Sequence, residues 1–176
     1  MNHRLLDLLH DQQAAGFPDV AGAEASATIP LSDRLVTRLA LEGKPPTAPI
    51  SELDLRALPG NRFTARVRLS KPAWVPPMTL TLHIERQPRF PDDPVLIFRL
   101  AGPGGLISLA GGAMRFLNVL PPGIRMDGDL VFVNLATLAA NNGGGEFLQF
   151  VKGLEVTTEA GWFVVRVLGA VPSRQA

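Results

Sequence analysis

Two side chains that could support acid–base or metal chemistry lie close together in the sequence. His83 and Glu85 are separated by one residue, in a stretch where apolar and polar residues alternate. In a strand that spacing puts both side chains on one face, with Arg66 as a neighbouring cation. A catalytic triad or a metal centre needs further partners, and no motif in the sequence supplies them. We therefore expect a loose surface pair, a protein that is not an enzyme, and neither catalytic residues nor a metal site.

Glycine-rich runs are the second feature that could serve chemistry. They lie at residues 102–105, 111–112 and 143–145. None is followed by the Lys-Ser/Thr pair of a phosphate-binding loop, and none has the glycine spacing of a dinucleotide site. The sequence contains no cysteine, which excludes disulfides and cysteine nucleophiles. We predict that the protein uses no cofactor.

The overall charge argues against nucleic acid as a partner. The 176 residues include 17 Lys and Arg against 16 Asp and Glu, a net charge of +1, without the basic excess typical of nucleic-acid binding. The N-terminal residues lack the continuous apolar stretch of a signal peptide, and no segment resembles a transmembrane helix. We expect a cytoplasmic location and leave peripheral membrane association open.

A long alternating stretch predicts the elements that position these side chains. Residues 50–100 alternate apolar and polar side chains, which predicts four strands of an antiparallel up-and-down sheet with one apolar face. A three-residue loop at 59–61 keeps the apolar faces matched and places Ala57 opposite Phe63. The same register sets acids opposite arginines, Asp54 against Arg66 and Glu52 against Arg68.

Helix and turn signals flank this sheet. Ser32 and Asn134 each precede a short apolar stripe and predict helix N-caps, and Asp127 with Gly128 predicts a tight hairpin turn. Residues 103–119 are apolar on nearly all sides. They predict a helix over 101–120 that a sheet, a second copy or a ligand must cover.

Together these elements predict one α+β domain over residues 24–172. We expect a twisted antiparallel up-and-down sheet wrapped around the apolar helix, with two or three further short helices. Residues 1–23 are expected to form an N-terminal helix and a loose segment, and residues 173–176 a tail.

Two stretches carry a family resemblance. Residues 27–39 read as a segment and helix that open the domain before the meander, and residues 120–135 as a hairpin followed by a helix. In this element order the chain resembles the tubular lipid-binding (BPI/SMP-like, TULIP) superfamily. The resemblance implies a sheet curled around a long helix, with an apolar groove for acyl chains. The residues expected to line the groove are Phe63, Val67, Leu80, Leu82, Phe98, Leu106, Leu109 and Phe116.

Two hypotheses for function follow. The first is a non-enzymatic module that binds a lipid or other apolar ligand between sheet and helix. The alternative is a scaffold or interaction subunit with a filled core, which buries its apolar helix against a partner protein or a second copy. Trp74 and Phe90 lie in two long loops and are candidate contacts to a membrane or a partner.

Overall fold

The computed structural model of the chain contains two antiparallel sheets and few helices. It describes residues 21–44, 46, 48, 50–70, 76–101, 120 and 122–172. The predicted α+β class with antiparallel strands is confirmed at this level. The elements in chain order are β1 (Glu24–Ser32), α1 (Asp33–Glu42), β2 (Ile50–Leu58), β3 (Arg62–Leu69), β4 (Met78–Arg86), β5 (Val95–Ala101), β6 (Ile124–Asp127), β7 (Leu130–Asn134), α2 (Leu135–Asn141), a 3₁₀ helix (Gly145–Phe150), β8 (Val151–Glu159) and β9 (Trp162–Ala170).

The larger sheet has six strands in the order β2-β3-β4-β5-β7-β6. Its first four strands form the predicted meander. Ala57 lies opposite Phe63, as the three-residue loop requires. Two residues of that loop, Gly60 and Asn61, have positive φ angles of 80° and 58°. Glycine and asparagine are the residues that adopt this backbone region most readily, so the turn chemistry and the facial pattern favour the same register.

The expected charge pairs on the outer face are only partly formed. Arg68 Nε lies 3.1 Å from Glu52 Oε2, as the register predicts. Asp54 is opposite Arg66 in the register, yet its Oδ2 accepts a hydrogen bond of 2.9 Å from Nε of Arg56 on its own strand. Residues two apart in a strand share a face, so Arg56 competes for Asp54 on equal terms with the cross-strand arginine.

The second sheet corrects the prediction of a single sheet. It has three strands in the order β1-β9-β8. β8 and β9 form a hairpin, and β1 pairs along its whole length with β9, from Glu24 opposite Ala170 to Ser32 opposite Trp162. The residues of β1 do not identify its partner, because the pairing of strands that are distant in sequence leaves no local signal.

An aromatic cluster and several hydrogen bonds join the sheets. The Phe63 ring on β3 meets the Phe163 ring on β9 with centroids 5.5 Å apart. Thr158, a buried polar residue of β8, donates from Oγ1 to the Leu58 carbonyl oxygen at 2.6 Å. Gln87, just after β4, bonds to the backbone of β8. The two sheets therefore share one core, centred on Phe63.

Helix α1 covers the β2 edge of the larger sheet. The Ala57 backbone N–H donates to Asp33 Oδ1, and the Leu55 N–H donates to Thr37 Oγ1, each at 2.9 Å. Two side chains of the helix thus accept hydrogen bonds from backbone amides of β2, an edge strand that no other strand in the described part of the chain pairs with on this side.

Both predicted helix caps are confirmed. Leu35 N donates to Ser32 Oγ at 3.4 Å at the start of α1. Thr137 N donates to Asn134 Oδ1 at 3.0 Å at the start of α2. Each cap satisfies one amide that has no partner within its helix.

The predicted apolar helix over 101–120 falls almost wholly outside the described residues. The first residue of that predicted helix, Ala101, is instead the last residue of β5. The predicted N-terminal helix and loose segment over 1–23 and the tail over 173–176 also lie outside the described residues, except for residues 21–23. The helices in the described part of the chain are all too short or too polar to cross a membrane.

Candidate apolar cavity

The inner face of the larger sheet lines a partly open cavity of about 200 Å³. The described side chains around it are all apolar. They belong to strands β2 to β7, except for Leu120, which precedes β6. The lining residues are Ile50, Phe63, Ala65, Val67, Met78, Leu80, Leu82, Leu100, Leu120, Met126 and Val131.

The cavity follows from strand alternation together with one small side chain. Phe63, Ala65 and Val67 point to the same face of β3 because side chains alternate along a strand. Ala65 lies opposite Leu55 on β2 and Leu80 on β4. An alanine between larger neighbours leaves volume that the rigid backbone does not close. The cavity therefore lies above the middle of the sheet.

Four predicted groove residues line this cavity, namely Phe63, Val67, Leu80 and Leu82. Phe98 does not. Its ring packs edge-on against Phe63 with centroids 5.2 Å apart and supports the wall from one side.

The remaining predicted site residues divide into two groups. Phe90 is half-buried in the loop between β4 and β5, away from the walls of the cavity. The others, Leu106, Leu109, Phe116 and Trp74, lie outside the described residues.

The remaining wall residues were not among those predicted to line the groove. Ala65, Met78 and Leu100 belong to the same alternating inner face and could have been found from it. Met126 and Val131 are opposite each other in the β6–β7 hairpin, and only the position of that hairpin beside β5 brings them to the cavity. Leu120 is the last residue of the predicted apolar helix, but it was not among the predicted lining residues.

The described residues leave this cavity partly open. Removing its apolar walls from water is favourable by about 25 cal/mol per Å². An apolar cavity of about 150 Å³ stays free of water and takes up benzene or xenon. A hydrocarbon group is therefore the kind of ligand whose transfer from water into this cavity has a favourable free energy.

The outer face holds the residues that the sequence offered for chemistry. Arg99 binds Glu85 through two hydrogen bonds of 3.1 and 3.2 Å and Asp129 through one of 2.7 Å. His83 lies opposite Arg99 and Arg62 in the register, so Arg62 rather than Arg66 is its neighbour on β3. Arg99 thus holds the carboxylate that a general base or a metal site at His83 would need.

The pKa of Glu85 agrees with its pairing to Arg99. Hydrogen bonding to Arg99 and its positive charge hold the pKa of Glu85 below its usual value, because both favour the ionised carboxylate. Among the described residues, no group of three or more histidines and acids is placed to hold a metal ion.

The Glu85–Arg99 contact predicts a measurable pH dependence. We expect a carbon-detected NMR titration to give Glu85 a pKa below the ordinary 4.5, and Arg99→Gln to raise it. The folded-state pKa is depressed, so the stabilising contribution is present above the unfolded-state pKa and is lost as pH falls through the folded-state pKa. Arg166→Gln, which removes a surface arginine paired with Glu155, is the control. An unchanged Glu85 pKa in Arg99→Gln would contradict the assignment.

No protein-family model matches this chain, and no curated protein or solved structure matches it either. The fold and the cavity define the class: an α+β protein of two antiparallel sheets with an apolar cavity on the inner face of the larger one. The resemblance to the tubular lipid-binding superfamily stays a prediction.

Proposed function

We propose that the protein is a non-enzymatic module that binds a lipid or another apolar ligand in the cavity above β3. The observation that supports this proposal is a cavity of about 200 Å³ whose described walls are apolar throughout. A binding pocket usually adds a few polar groups that orient its ligand. This cavity offers none among its described residues, so it suits the hydrocarbon part of a ligand.

The size of the cavity limits what it holds. It is somewhat larger than a cavity that takes benzene, so it accommodates an aromatic ring or one end of an acyl chain. A polar headgroup would remain outside, because moving an unpaired polar group from water into an apolar cavity is unfavourable by several kcal/mol. The driving force is removal of apolar surface from water, about 25 cal/mol per Å².

The second candidate function is that of a scaffold or interaction subunit, whose core would be filled rather than open to a ligand. Leu100 and Leu120 both line the cavity, and the residues between them are predominantly apolar. Under this candidate, side chains of the chain itself fill the cavity. Trp162 and Leu168 are 45% and 56% exposed on one face of the smaller sheet, where an interaction subunit could contact a partner.

Native mass spectrometry of the purified full-length chain tests the first candidate. We expect one apolar molecule per chain, identified in an organic extract, and binding of lauric acid after delipidation. Ala65→Leu adds carbon atoms inside the cavity and should abolish both. Ala27→Leu makes the same change at an exposed position of β1 and should leave both intact.

The two candidates also differ in stability. If a ligand fills the cavity, Ala65→Leu places side-chain atoms in free space, and the delipidated variant should be at least as stable as the wild type. If the core is already filled, the larger side chain overpacks it and lowers the free energy of unfolding by about 1–3 kcal/mol. An empty extract, no lauric acid binding and a destabilised Ala65→Leu variant together would overturn the binding proposal.

A further inference from the structure

A second cleft lies on the opposite face of the larger sheet, between α1 and β2. Its volume is about 490 Å³. Asp54 and Arg56 alternate with the inner residues of β2, so they face away from the apolar cavity. The residues that line the cleft are Asp33, Arg34, Thr37, Arg38 and Leu41 from α1, and Asp54 and Arg56 from β2.

The protein itself engages the hydrogen-bond acceptors of this cleft. Asp33 Oδ1 accepts from the Ala57 amide, and Thr37 Oγ1 accepts from the Leu55 amide. Asp54 Oδ2 accepts from Arg56 Nε at 2.9 Å. Each carboxylate therefore already has a donor, and the same bonds fix α1 against β2. The cleft is built on two regular elements rather than on a loop.

Two arginine side chains of the cleft, Arg34 and Arg38, have N–H donors that the described residues do not use in close hydrogen bonds. Arg34 has no acidic group within 4 Å in the part of the chain that the structure describes, and Arg38 is 3.9 Å from Glu42, with both side chains about two-thirds exposed. Arg34 and Arg38 are four residues apart, so two like charges share one face of α1, an arrangement that weakens a helix by a few tenths of a kcal/mol. Three guanidinium groups and two carboxylates line the cleft, and Glu42, beside Arg38, is a third acid next to it.

We propose that this cleft binds the phosphate group of a small phosphate ester, with Arg34 and Arg38 as the principal contacts and Arg56 on the opposite wall. A guanidinium group presents several N–H donors in a planar fork that matches the oxygens of a phosphate. A bound phosphate relieves the repulsion between Arg34 and Arg38. The ester is either a free metabolite or a lipid headgroup, and the chemistry of recognition is the same for both.

NMR titration of the full-length protein with inorganic phosphate, at constant ionic strength, tests the cleft directly. We expect saturable shifts of the Arg34 and Arg38 Nε–Hε resonances. Arg34→Gln and Arg38→Gln should each weaken binding about tenfold, because each removes a charge-assisted hydrogen bond. Both changes fall on exposed positions of α1, where glutamine is a good helix former, and thermal unfolding checks that the variants fold. Arg166→Gln removes one surface arginine elsewhere and should leave binding unchanged.

Flotation with phosphatidylcholine vesicles, with and without phosphatidic acid, separates the two sources. Flotation that needs phosphatidic acid and is lost in Arg34→Gln assigns the cleft to a lipid headgroup. Saturable phosphate binding without flotation assigns it to a soluble ester. The proposal is overturned if neither is observed, if the α1 variants bind phosphate as the wild type does, or if Arg166→Gln weakens binding equally.

Discussion

Phe63→Ala is expected to lower the free energy of unfolding by about 3–5 kcal/mol, the usual range for truncating a buried phenylalanine. The Phe63 ring is 8% exposed. It meets Phe98 on β5 and Phe163 on β9, with centroids 5.2 and 5.5 Å away. Edge-to-face aromatic pairs add about 0.5–1.5 kcal/mol each beyond burial. Truncation removes packing within the larger sheet and between the two sheets. Urea unfolding measures the loss.

Two further variants make this result interpretable. Phe147→Ala truncates a phenylalanine that is 51% exposed and should change stability by no more than about 0.5 kcal/mol. Phe63→Leu retains an apolar side chain and should lose less than Phe63→Ala, so it reports on the site even if the alanine variant does not fold. Equal, small losses for Phe63→Ala and Phe147→Ala would show that the two sheets are not joined through Phe63.

Gln87→Ala is expected to lower the free energy of unfolding by about 1–3 kcal/mol, because it leaves backbone groups without their partners. Gln87 Nε2 donates to the Val156 carbonyl oxygen at 2.7 Å, and the Val156 N–H donates to Gln87 Oε1 at 2.9 Å. The side-chain amide thus takes the place of a neighbouring strand at the β8 edge. We expect hydrogen exchange at the Val156 amide to accelerate in the variant.

Two variants serve as controls for Gln87→Ala: one changes the charge of the same side chain, and one makes the same truncation at a different position. Gln87→Glu retains an acceptor for the Val156 N–H, but its carboxylate cannot donate to the Val156 carbonyl. At neutral pH it should destabilise the protein at least as much as Gln87→Ala. Gln149→Ala makes the same truncation at an exposed residue of the 3₁₀ helix and should be nearly neutral. An unchanged exchange rate at Val156 in Gln87→Ala would mean that this amide does not hold the β8 edge.

The features that could be predicted from sequence are those that adjacent residues determine. The register of β2 against β3 follows from the alternation and from a loop that contains Gly60 and Asn61. The caps at Ser32 and Asn134 follow from a polar residue placed just before an apolar stripe. In each case the physical cause lies within a few residues of its effect.

The features that could not be predicted depend on contacts between distant segments. The alternation in β1 is satisfied by any antiparallel partner, so nothing local selects β9 or separates a second sheet. Arg99 meets Glu85 and Asp129 because three separate segments come together on the outer face. The cleft between α1 and β2 requires both the helix and the sheet edge, and neither element contains a phosphate-binding motif.

The candidate cavity is an intermediate case. Alternation identified Phe63, Val67, Leu80 and Leu82 as residues of one apolar face. Whether such a face encloses free volume depends on the size of single side chains, here Ala65, and on which elements lie above the sheet. Phe98 belongs to the same face, yet its ring is turned against Phe63, which the pattern of residue types does not reveal.

The pairing of β1 with β9 has a consequence for how the chain folds during synthesis. β1 is made early, and its partner is the last strand of the described chain, so this contact closes a loop of nearly the entire described domain. Loop closure over such a separation is entropically unfavourable, and sheets with many long-range contacts fold slowly, in roughly milliseconds to seconds. Until β9 emerges, β1 has a free backbone edge, and Leu31, which packs against the core in the folded protein, is exposed. The nascent chain is therefore most prone to association with other chains before its final strand arrives.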